Sequence, residues 1–92
     1  MEKIARKYYI SGLVQGVSFR FFTQRAAAKH QIRGYVKNLE DGRVEAYAEG
    51  DEKEIKAFHE EILTGPTHSR VEKIEEIVEE PQGLYSTFLI ER

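Results

Sequence analysis

The sequence predicts an α+β fold: a β-α-β-β-α-β sandwich in which two helices pack on one face of an antiparallel sheet. Two segments have apolar residues at helical spacing, and the segments around them alternate between apolar and polar residues. Turn-forming glycines and prolines separate the segments, and no repeat or linker interrupts their order. The 92 residues are 40% hydrophobic and 33% charged, which suits one small domain over residues 1–92 with a modest core.

The first half of the chain is predicted to hold three strands and one helix. Residues 7–13 alternate and form a strand with one buried face. Residues 21–32 contain three consecutive alanines and apolar residues at helical spacing, which predicts a helix. Residues 35–39 form a short strand, residues 40–42 supply hairpin turn chemistry, and residues 44–49 alternate as a third strand. The polar face of that third strand carries Glu45, Tyr47 and Glu49.

The second half is predicted to hold the other helix and two more strands. Asp51 and Glu54 have the spacing of a capping box, in which each side chain bonds a free N–H group at the helix start. Residues 64–66, Thr-Gly-Pro, end this helix. Residues 69–79 form a strand whose irregular apolar spacing predicts a bulge or bend, and residues 87–90 form a final short strand. The buried face of the helix is predicted to carry Ile55, Phe58 and Ile62.

This order of elements places two connections at one edge of the sheet. Right-handed crossovers give the ferredoxin-like arrangement, with strand three between strands one and two. Strands one and two then run parallel, so the loop at residues 12–20 and the side chain of Asn38 leave the sheet at the same edge. Two strand spacings separate them, about 10 Å between backbones. A side chain from each connection can therefore reach one shared ligand.

The loop at residues 12–20, GLVQGVSFR, has the properties of an anion site. Gly12 and Gly16 permit backbone angles that turn N–H groups inward, and the following helix points its free N–H groups the same way. Arg20 adds a planar guanidinium that suits two phosphate oxygens. A nucleotide-binding loop is excluded, because the glycine spacing differs and no Lys-Ser/Thr follows. A cysteine phosphatase loop is excluded, because Val14 occupies the nucleophile position and the chain has no cysteine.

The second polar group at this edge is Asn38, which precedes the turn between strands two and three. Its amide can donate one hydrogen bond and accept another, so it can hold and orient a water molecule. Beside a phosphate dianion, a neutral amide avoids the repulsion that an aspartate would cause. Asparagine is also common before tight turns for backbone reasons, so Asn38 alone leaves a structural and a functional role open.

Together the two stretches resemble the signatures of the acylphosphatase family. The segment GLVQGVSFR at residues 12–20 resembles the loop of that family, with Val-Gln-Gly-Val before the arginine. The segment GYVKN at residues 34–38, followed by Gly42, Val44 and Gly50, resembles its second signature in register. The resemblance covers the whole chain in length and in element order.

The resemblance implies hydrolysis of acyl phosphates to a carboxylate and inorganic phosphate, with no metal ion and no other cofactor. It implies that Arg20 binds the phosphate and that Asn38 orients the attacking water. Two residues depart from the family pattern: His30 and Gln31 stand where an apolar residue and a glycine are expected. The backbone N–H groups that would complete the substrate-binding cradle belong to Gln15, Gly16, Val17, Ser18 and Phe19.

The composition bounds the partners and the compartment. The net charge of −2 gives no support for a nucleic-acid or anionic-membrane partner, and no apolar run approaches the roughly 20 residues of a membrane span. The lack of cysteine excludes disulfides and zinc–thiolate sites, and the three histidines lack metal-ligand spacing. The N-terminal residues lack the apolar core of a signal peptide. We therefore predict a monomeric cytoplasmic enzyme that acts on a small molecule.

Two other functions stay open on the sequence alone. The same element order occurs in RNA-recognition domains, and residues 33–35, Arg-Gly-Tyr, begin like their basic-Gly-aromatic motif. Val36, Asn38 and Glu40 then break that motif, and the acidic net charge disfavours RNA. The second alternative is a phosphate-binding module that no longer turns over. The presence of both Arg20 and Asn38 favours hydrolysis over that alternative.

Overall fold

The computed structural model describes residues 3–92, and residues 1 and 2 of the predicted domain lie outside it. The described residues form five strands and two helices. In chain order these are β1 (Lys3–Leu13), α1 (Phe19–Lys29), β2 (Arg33–Asn38), β3 (Val44–Asp51), α2 (Glu52–Thr64), β4 (Arg70–Glu79) and β5 (Phe88–Glu91). The predicted order of elements is confirmed. Within residues 3–92 neither helix is long and apolar enough to cross a membrane.

The five strands form one sheet in the order β4-β1-β3-β2-β5. β1 pairs antiparallel with β3 and β4, and β2 pairs antiparallel with β3, as the ferredoxin-like prediction requires. β5 pairs parallel with β2, so the complete sheet is mixed. After β4 the connection carries the chain across the sheet, from the edge that β4 forms to the opposite edge beside β2. There β5 joins the sheet and runs in the same direction as β2.

Both helices cover one face of the sheet with the apolar stripes that the sequence predicts. α1 buries Phe19, Thr23, Ala26 and Ala27, and α2 buries Ile55, Phe58 and Ile62. The sheet residues beneath them are Tyr8, Ile10, Val36, Val44, Ala46 and Ala48. Each large apolar side chain that is fully buried contributes about 1.5–3 kcal/mol. This layer between helices and sheet is therefore the main source of stability.

The first helix starts and ends earlier than predicted. It spans Phe19–Lys29, because Ser18 adopts a left-handed conformation with φ 62° and turns the chain directly into the helix. At the other end Gln31 is left-handed with φ 57°, and the Ile32 N–H donates to the Ala27 carbonyl at 2.8 Å. Gln31 thus has a conformation that favours glycine, at the position where the resemblance implies a glycine.

The second helix begins without the predicted capping box. Asp51 is the N-cap residue, but its side chain makes no capping hydrogen bond to the described N–H groups. Asp51 is also the last residue of β3, where it pairs with Lys3, and its backbone is extended with φ −65° and ψ 145°. The carboxylate of Glu54, the other member of the predicted box, lies 2.9 Å from His30 Nδ1. Glu52 and Glu54 in the first turn still complement the positive end of the helix dipole.

His30 links the two helices through two carboxylates. Its Nδ1 lies 2.9 Å from Glu54 Oε1, and its Nε2 lies 2.5 Å from Glu61 Oε2. A ring that donates to both carboxylates carries both protons. Burial lowers the pKa of His30, but the hydrogen bonds that the ring donates to Glu61 and Glu54 together outweigh burial and raise the pKa above its usual value. An ion pair between the helices therefore stands where the resemblance implies an apolar residue.

Gly12 belongs to the sheet and not to the predicted anion site. It lies in β1 with φ 125°, beside a bulge in β4 where the pairing register skips Glu72. A Cβ atom at Gly12 would lie 2.1 Å from the Arg70 carbonyl oxygen, so only glycine permits this close approach. The predicted irregularity in the β4 segment is confirmed as this bulge.

The face of the sheet opposite the helices differs from the prediction. Glu45, Tyr47 and Glu49 are predicted on a polar face of strand three, yet they are only 8%, 2% and 5% exposed. The segment 80–87 covers this face. Glu49 Oε2 accepts hydrogen bonds from the Tyr47 hydroxyl at 2.5 Å and from two backbone N–H groups of that segment at 2.6 and 3.1 Å. A connection distant in sequence has therefore converted a solvent face into a second buried layer.

The side chains in this second layer form a tyrosine–glutamate cluster, comprising Tyr35, Glu45, Tyr47, Glu49 and Tyr85. The three tyrosine rings have centroids 5.7–5.9 Å apart, and Tyr35 donates its hydroxyl to Glu45. Burial, and then the hydrogen bond to Glu49, raises the pKa of Tyr47 above its usual range. Burial also raises the pKa of Glu49, but the hydrogen bonds from Tyr47 and segment 80–87 outweigh it and leave that pKa lowered.

Candidate active site

A cleft of about 350 Å³ opens at the edge of the sheet where β1 and β2 end. Its lining residues are Val14, Gln15, Gly16, Ser18, Phe19, Arg20, Phe21, Asn38 and Ile90. Volume alone does not distinguish it, because a cleft of similar size lies at the C-terminal end of α1. The lining chemistry does distinguish it, since loop backbone, one guanidinium and one carboxamide converge there.

The register of the sheet brings the loop and Asn38 to this cleft. Val44 of β3 pairs with Ile10 on one side and with Asn38 on the other. β1 and β2 therefore run parallel on the two sides of β3 and end at the same level. The loop that follows β1 and the last residue of β2 then border one space, in which Arg20 and Asn38 both take part.

The loop between β1 and α1 is anchored by its apolar side chains and presents its backbone to the cleft. Val14 is buried, and Val17 packs against the core. Gly16 and Ser18 have positive φ angles of 74° and 62° on either side of Val17. Left-handed residues of this kind occur in the backbone nests that bind anions. α1 follows directly, and the N–H groups of its first turn have no partner within the helix.

Arg20 is half-buried, and one of its donors is already in use. Its Nη1 donates to the carbonyl of Glu91 at 2.9 Å. A guanidinium carries five N–H donors in a fixed plane, so this bond orients the group and leaves donors for a ligand. The parallel strand β5 therefore has a role at the cleft, since it carries the carbonyl that holds Arg20.

Asn38 brings a buried oxygen to the cleft. Its Oδ1 has no hydrogen-bond partner within residues 3–92. An unpartnered buried polar atom costs about 1–3 kcal/mol. Native proteins tolerate such atoms mainly where a water molecule, a ligand or a functional constraint accounts for them. The Asn38 side chain lines the cleft, so a rotation of its amide would turn the unpartnered oxygen toward a water molecule or a ligand there.

Gln15 is a cleft residue whose side chain is committed elsewhere. Its Nε2 donates to the carbonyls of Leu39 at 2.8 Å and Arg43 at 2.9 Å, which flank the turn that follows Asn38. The Gln15 side chain therefore ties the loop between β1 and α1 to the β2–β3 hairpin. The backbone N–H of Gln15 remains for a ligand. Local sequence patterns could not show this brace, because its two partners lie 24 and 28 residues away.

The other residues predicted to bind the substrate either line the cleft or pack beneath the loop. Phe19 is 1% exposed and Val17 packs against the core, so only their backbone N–H groups are available to a ligand. Two apolar lining residues, Phe21 and Ile90, were not anticipated. Helical spacing offered a signal for Phe21, because it lies off the face that buries Phe19 and Thr23.

The fold and the cleft define a class of protein: a ferredoxin-like α+β sandwich whose first strand–helix connection can receive an anion beside a guanidinium. The acylphosphatase family profile matches residues 6–90. The chain therefore belongs to the acylphosphatase family, and it is an enzyme of that family.

Individual relatives agree with the family profile over nearly the whole chain. An acylphosphatase of Chloroflexus aurantiacus is 41% identical over 90 residues, which cover 98% of each chain. An acylphosphatase of Archaeoglobus fulgidus is 49% identical over 72 residues, which cover 78% of this chain and 81% of that one. The crystal structure of the Bacillus subtilis acylphosphatase matches with a TM-score of 0.93 at 36% identity, covering 97% of this chain and 99% of that one.

Proposed function

We propose that this enzyme hydrolyses acyl phosphates to a carboxylate and inorganic phosphate in the cleft lined by Arg20 and Asn38. The observation that carries the proposal is that these two side chains, from α1 and β2, border one space at the start of a helix. The N–H groups of residues 15–20 and the guanidinium bind the phosphoryl group. Asn38 orients the water that attacks phosphorus.

In this reaction the protein mainly positions the reactants and stabilises negative charge. The water oxygen bonds to phosphorus while the bond between phosphorus and the acyl oxygen breaks, and the carboxylate leaves with that electron pair. One water proton stays on the attacking oxygen, and the other passes to a phosphate oxygen. A carboxylate is a good leaving group, so no covalent nucleophile is needed. Arg20 and the loop N–H groups stabilise the negative charge on the phosphoryl oxygens.

The environment of Asn38 supports its role with the water. Its Oδ1 has no hydrogen-bond partner among the described residues, so a rotation of the amide toward the cleft breaks no bond to that oxygen and lets it accept a hydrogen bond from water. The amide is neutral, so it can lie near a phosphate dianion without repulsion. Holding the water in line with the breaking bond converts a bimolecular encounter into a positioned attack, which is the larger part of catalysis of this kind.

Gln15 supports the same geometry indirectly. Its two hydrogen bonds fix the turn after Asn38 relative to the loop that binds the phosphoryl group. The distance between the bound phosphorus and the Asn38 amide therefore depends on this brace. Gln15 is a positioning residue in this mechanism, and its backbone belongs to the phosphate cradle.

The charges of the cleft support a reaction without a metal ion. Magnesium in phosphoryl-transfer sites is held by carboxylates together with substrate oxygens. The cleft lining within residues 3–92 contains no carboxylate side chain, and Arg20 supplies positive charge directly. The monomeric state and the cytoplasmic location stay predictions.

Release of inorganic phosphate from benzoyl phosphate in excess chelator tests this proposal. We expect the wild type to turn over undiminished by the chelator. Asn38→Ala should lower kcat by about 100-fold or more, because the attacking water loses its positioning. The inhibition constant for inorganic phosphate should change less than about threefold, since Asn38 does not bind the phosphoryl oxygens in the mechanism.

Two further measurements keep this test sharp. Asn38→Asp has the same size but carries a charge, and it should weaken inhibition by phosphate as well as lower kcat. Gln82→Ala, which removes an exposed amide outside the cleft, is the control and should leave kcat within about twofold. Turnover that appears only with an added divalent metal would overturn the metal-free mechanism. A near-normal kcat in Asn38→Ala would remove the proposed role of Asn38.

A further inference from the structure

Two large apolar side chains are exposed on the wall of the cleft. Phe21 is 54% exposed and Ile90 is 37% exposed, and both line the same space as Arg20 and Asn38. Exposed apolar residues scattered singly over a surface need no explanation. Two that meet at a polar cleft are different, because they give the cleft an apolar part beside its anion-binding part.

The two side chains reach the cleft from different elements, one from α1 and the other from β5. Phe21 lies in the first turn of α1, directly after Arg20, and the Arg25 guanidinium lies 5.8 Å from its ring centroid. Ile90 lies in β5, one residue before the carbonyl that accepts the Arg20 hydrogen bond. The two-residue period of a strand puts Ile90 on the same face as buried Phe88, toward the helices.

We propose that Phe21 and Ile90 contact the acyl group of the substrate and give the enzyme a preference for aromatic or bulky apolar acyl phosphates over acetyl or carbamoyl phosphate. This inference rests on the proposed function, which puts the phosphoryl group on the loop. An acyl phosphate has one anionic end that requires hydrogen-bond donors and one neutral end. With the phosphoryl group fixed at the loop N–H groups and Arg20, the acyl end extends along the remaining cleft wall.

The open shape of the site sets the size of the effect. Both side chains keep a third to a half of their surface exposed, so they can cover one side of an acyl group without enclosing it. A closed apolar pocket discriminates 10–200-fold for a single methylene group. A phenyl ring resting on an open apolar wall should therefore gain roughly tenfold over a methyl group.

The test compares the ratio of kcat/KM for benzoyl phosphate to kcat/KM for acetyl phosphate. Phe21→Ala should lower this ratio roughly fivefold and Ile90→Ala about threefold, mainly through KM for benzoyl phosphate. Leu63→Ala and Leu89→Ala are matched controls, because these residues are 49% and 44% exposed and lie outside the cleft lining. Both controls should keep the wild-type ratio within about twofold.

Inorganic phosphate provides a second readout, because it has no acyl group. Its inhibition constant should stay within about twofold in Phe21→Ala, which separates loss of acyl contact from damage to the phosphate cradle. Phe21→Leu, with an intermediate apolar surface, should give an intermediate ratio and serves if the alanine variant unfolds.

The possible outcomes distinguish this inference from the proposed function. Hydrolysis of both substrates by the wild type, with an unchanged ratio in Phe21→Ala, Phe21→Leu and Ile90→Ala, overturns the acyl-contact inference alone. An equal fall of the ratio in the control variants overturns it too. Hydrolysis of neither substrate by the folded wild type overturns the proposed function, and with it this inference.

Discussion

The cleft and the tyrosine–glutamate cluster both hold polar side chains near or inside the protein, and they treat those groups differently. In the cluster, Tyr47 and two backbone N–H groups all bond to Glu49, and Tyr35 bonds to Glu45. In the cleft, the Asn38 oxygen lacks a partner within residues 3–92, and a single carbonyl holds Arg20.

The difference teaches how to separate structural from functional polar groups in one chain. A buried polar group whose hydrogen bonds are all made inside the protein contributes to stability and has little left for a ligand. A group with free donors or a free acceptor costs stability, which a bound ligand or water can offset. Variants in the cleft should therefore change activity more than stability, and variants in the cluster should do the reverse.

The largest expected effect is that of Arg20→Ala. We expect kcat/KM for benzoyl phosphate to fall by about 1,000-fold or more, because the guanidinium stabilises charge on the phosphoryl oxygens. The free energy of unfolding, measured by urea denaturation, should change by less than about 1 kcal/mol, since the side chain makes one hydrogen bond at a half-buried position. If the free energy of unfolding instead fell by several kcal/mol, the contrast between the cleft and the cluster would be wrong, because Arg20 would then be mainly a structural group.

Glu49→Ala should have the opposite profile. It leaves the Tyr47 hydroxyl and two N–H groups of segment 80–87 without their shared acceptor. We expect the free energy of unfolding to fall by about 3 kcal/mol in urea denaturation. The folded fraction should keep kcat/KM within about threefold. Glu75→Ala, at an exposed position of β4, is the control and should change stability by less than about 0.5 kcal/mol.

The smallest expected effect concerns pH and sharpens the role of Glu49. Its pKa is lowered in the folded protein, so its contribution to stability is present above the ordinary carboxyl value of 4.5 and is lost as the pH falls through the lowered pKa. Urea midpoints measured from pH 6 down to pH 3 should therefore fall less steeply in Glu49→Gln than in the wild type. Parallel curves would show that Glu49 is not the titrating link.

The pH range of that experiment keeps His30 protonated, and Glu61, whose pKa is also lowered, titrates in the wild type and the variant alike. The pKa of His30 is raised above its ordinary value of 6.5, so its contribution is complete below pH 6.5 and is lost only as the pH rises through the raised pKa. His30 therefore stays protonated in the folded and unfolded chain over most of the measured range. The difference between the two proteins then reports Glu49.

Much of the fold could be predicted because it depends on residues close together in the chain. The stripe of Ile55, Phe58 and Ile62 defines one face of α2, and all three are buried as predicted. The place where Asn38 meets the loop followed from element order and the handedness of crossovers. The capping box at Asp51 did not form although its spacing was right, and its second member, Glu54, instead bonds His30, which lies 24 residues away in the chain.

The sequence by itself determined the order of the elements, the buried faces of both helices, the family, and the two side chains that come together at the cleft. Tertiary structure alone decided that Gly12 serves the bulge of β4, that Gln15 braces the hairpin, and that segment 80–87 buries Glu49. The physical reason is the separation along the chain over which each kind of interaction acts. Periodicity and turn chemistry act over a few residues, whereas these roles depend on which atoms a distant segment brings within hydrogen-bond or van der Waals distance.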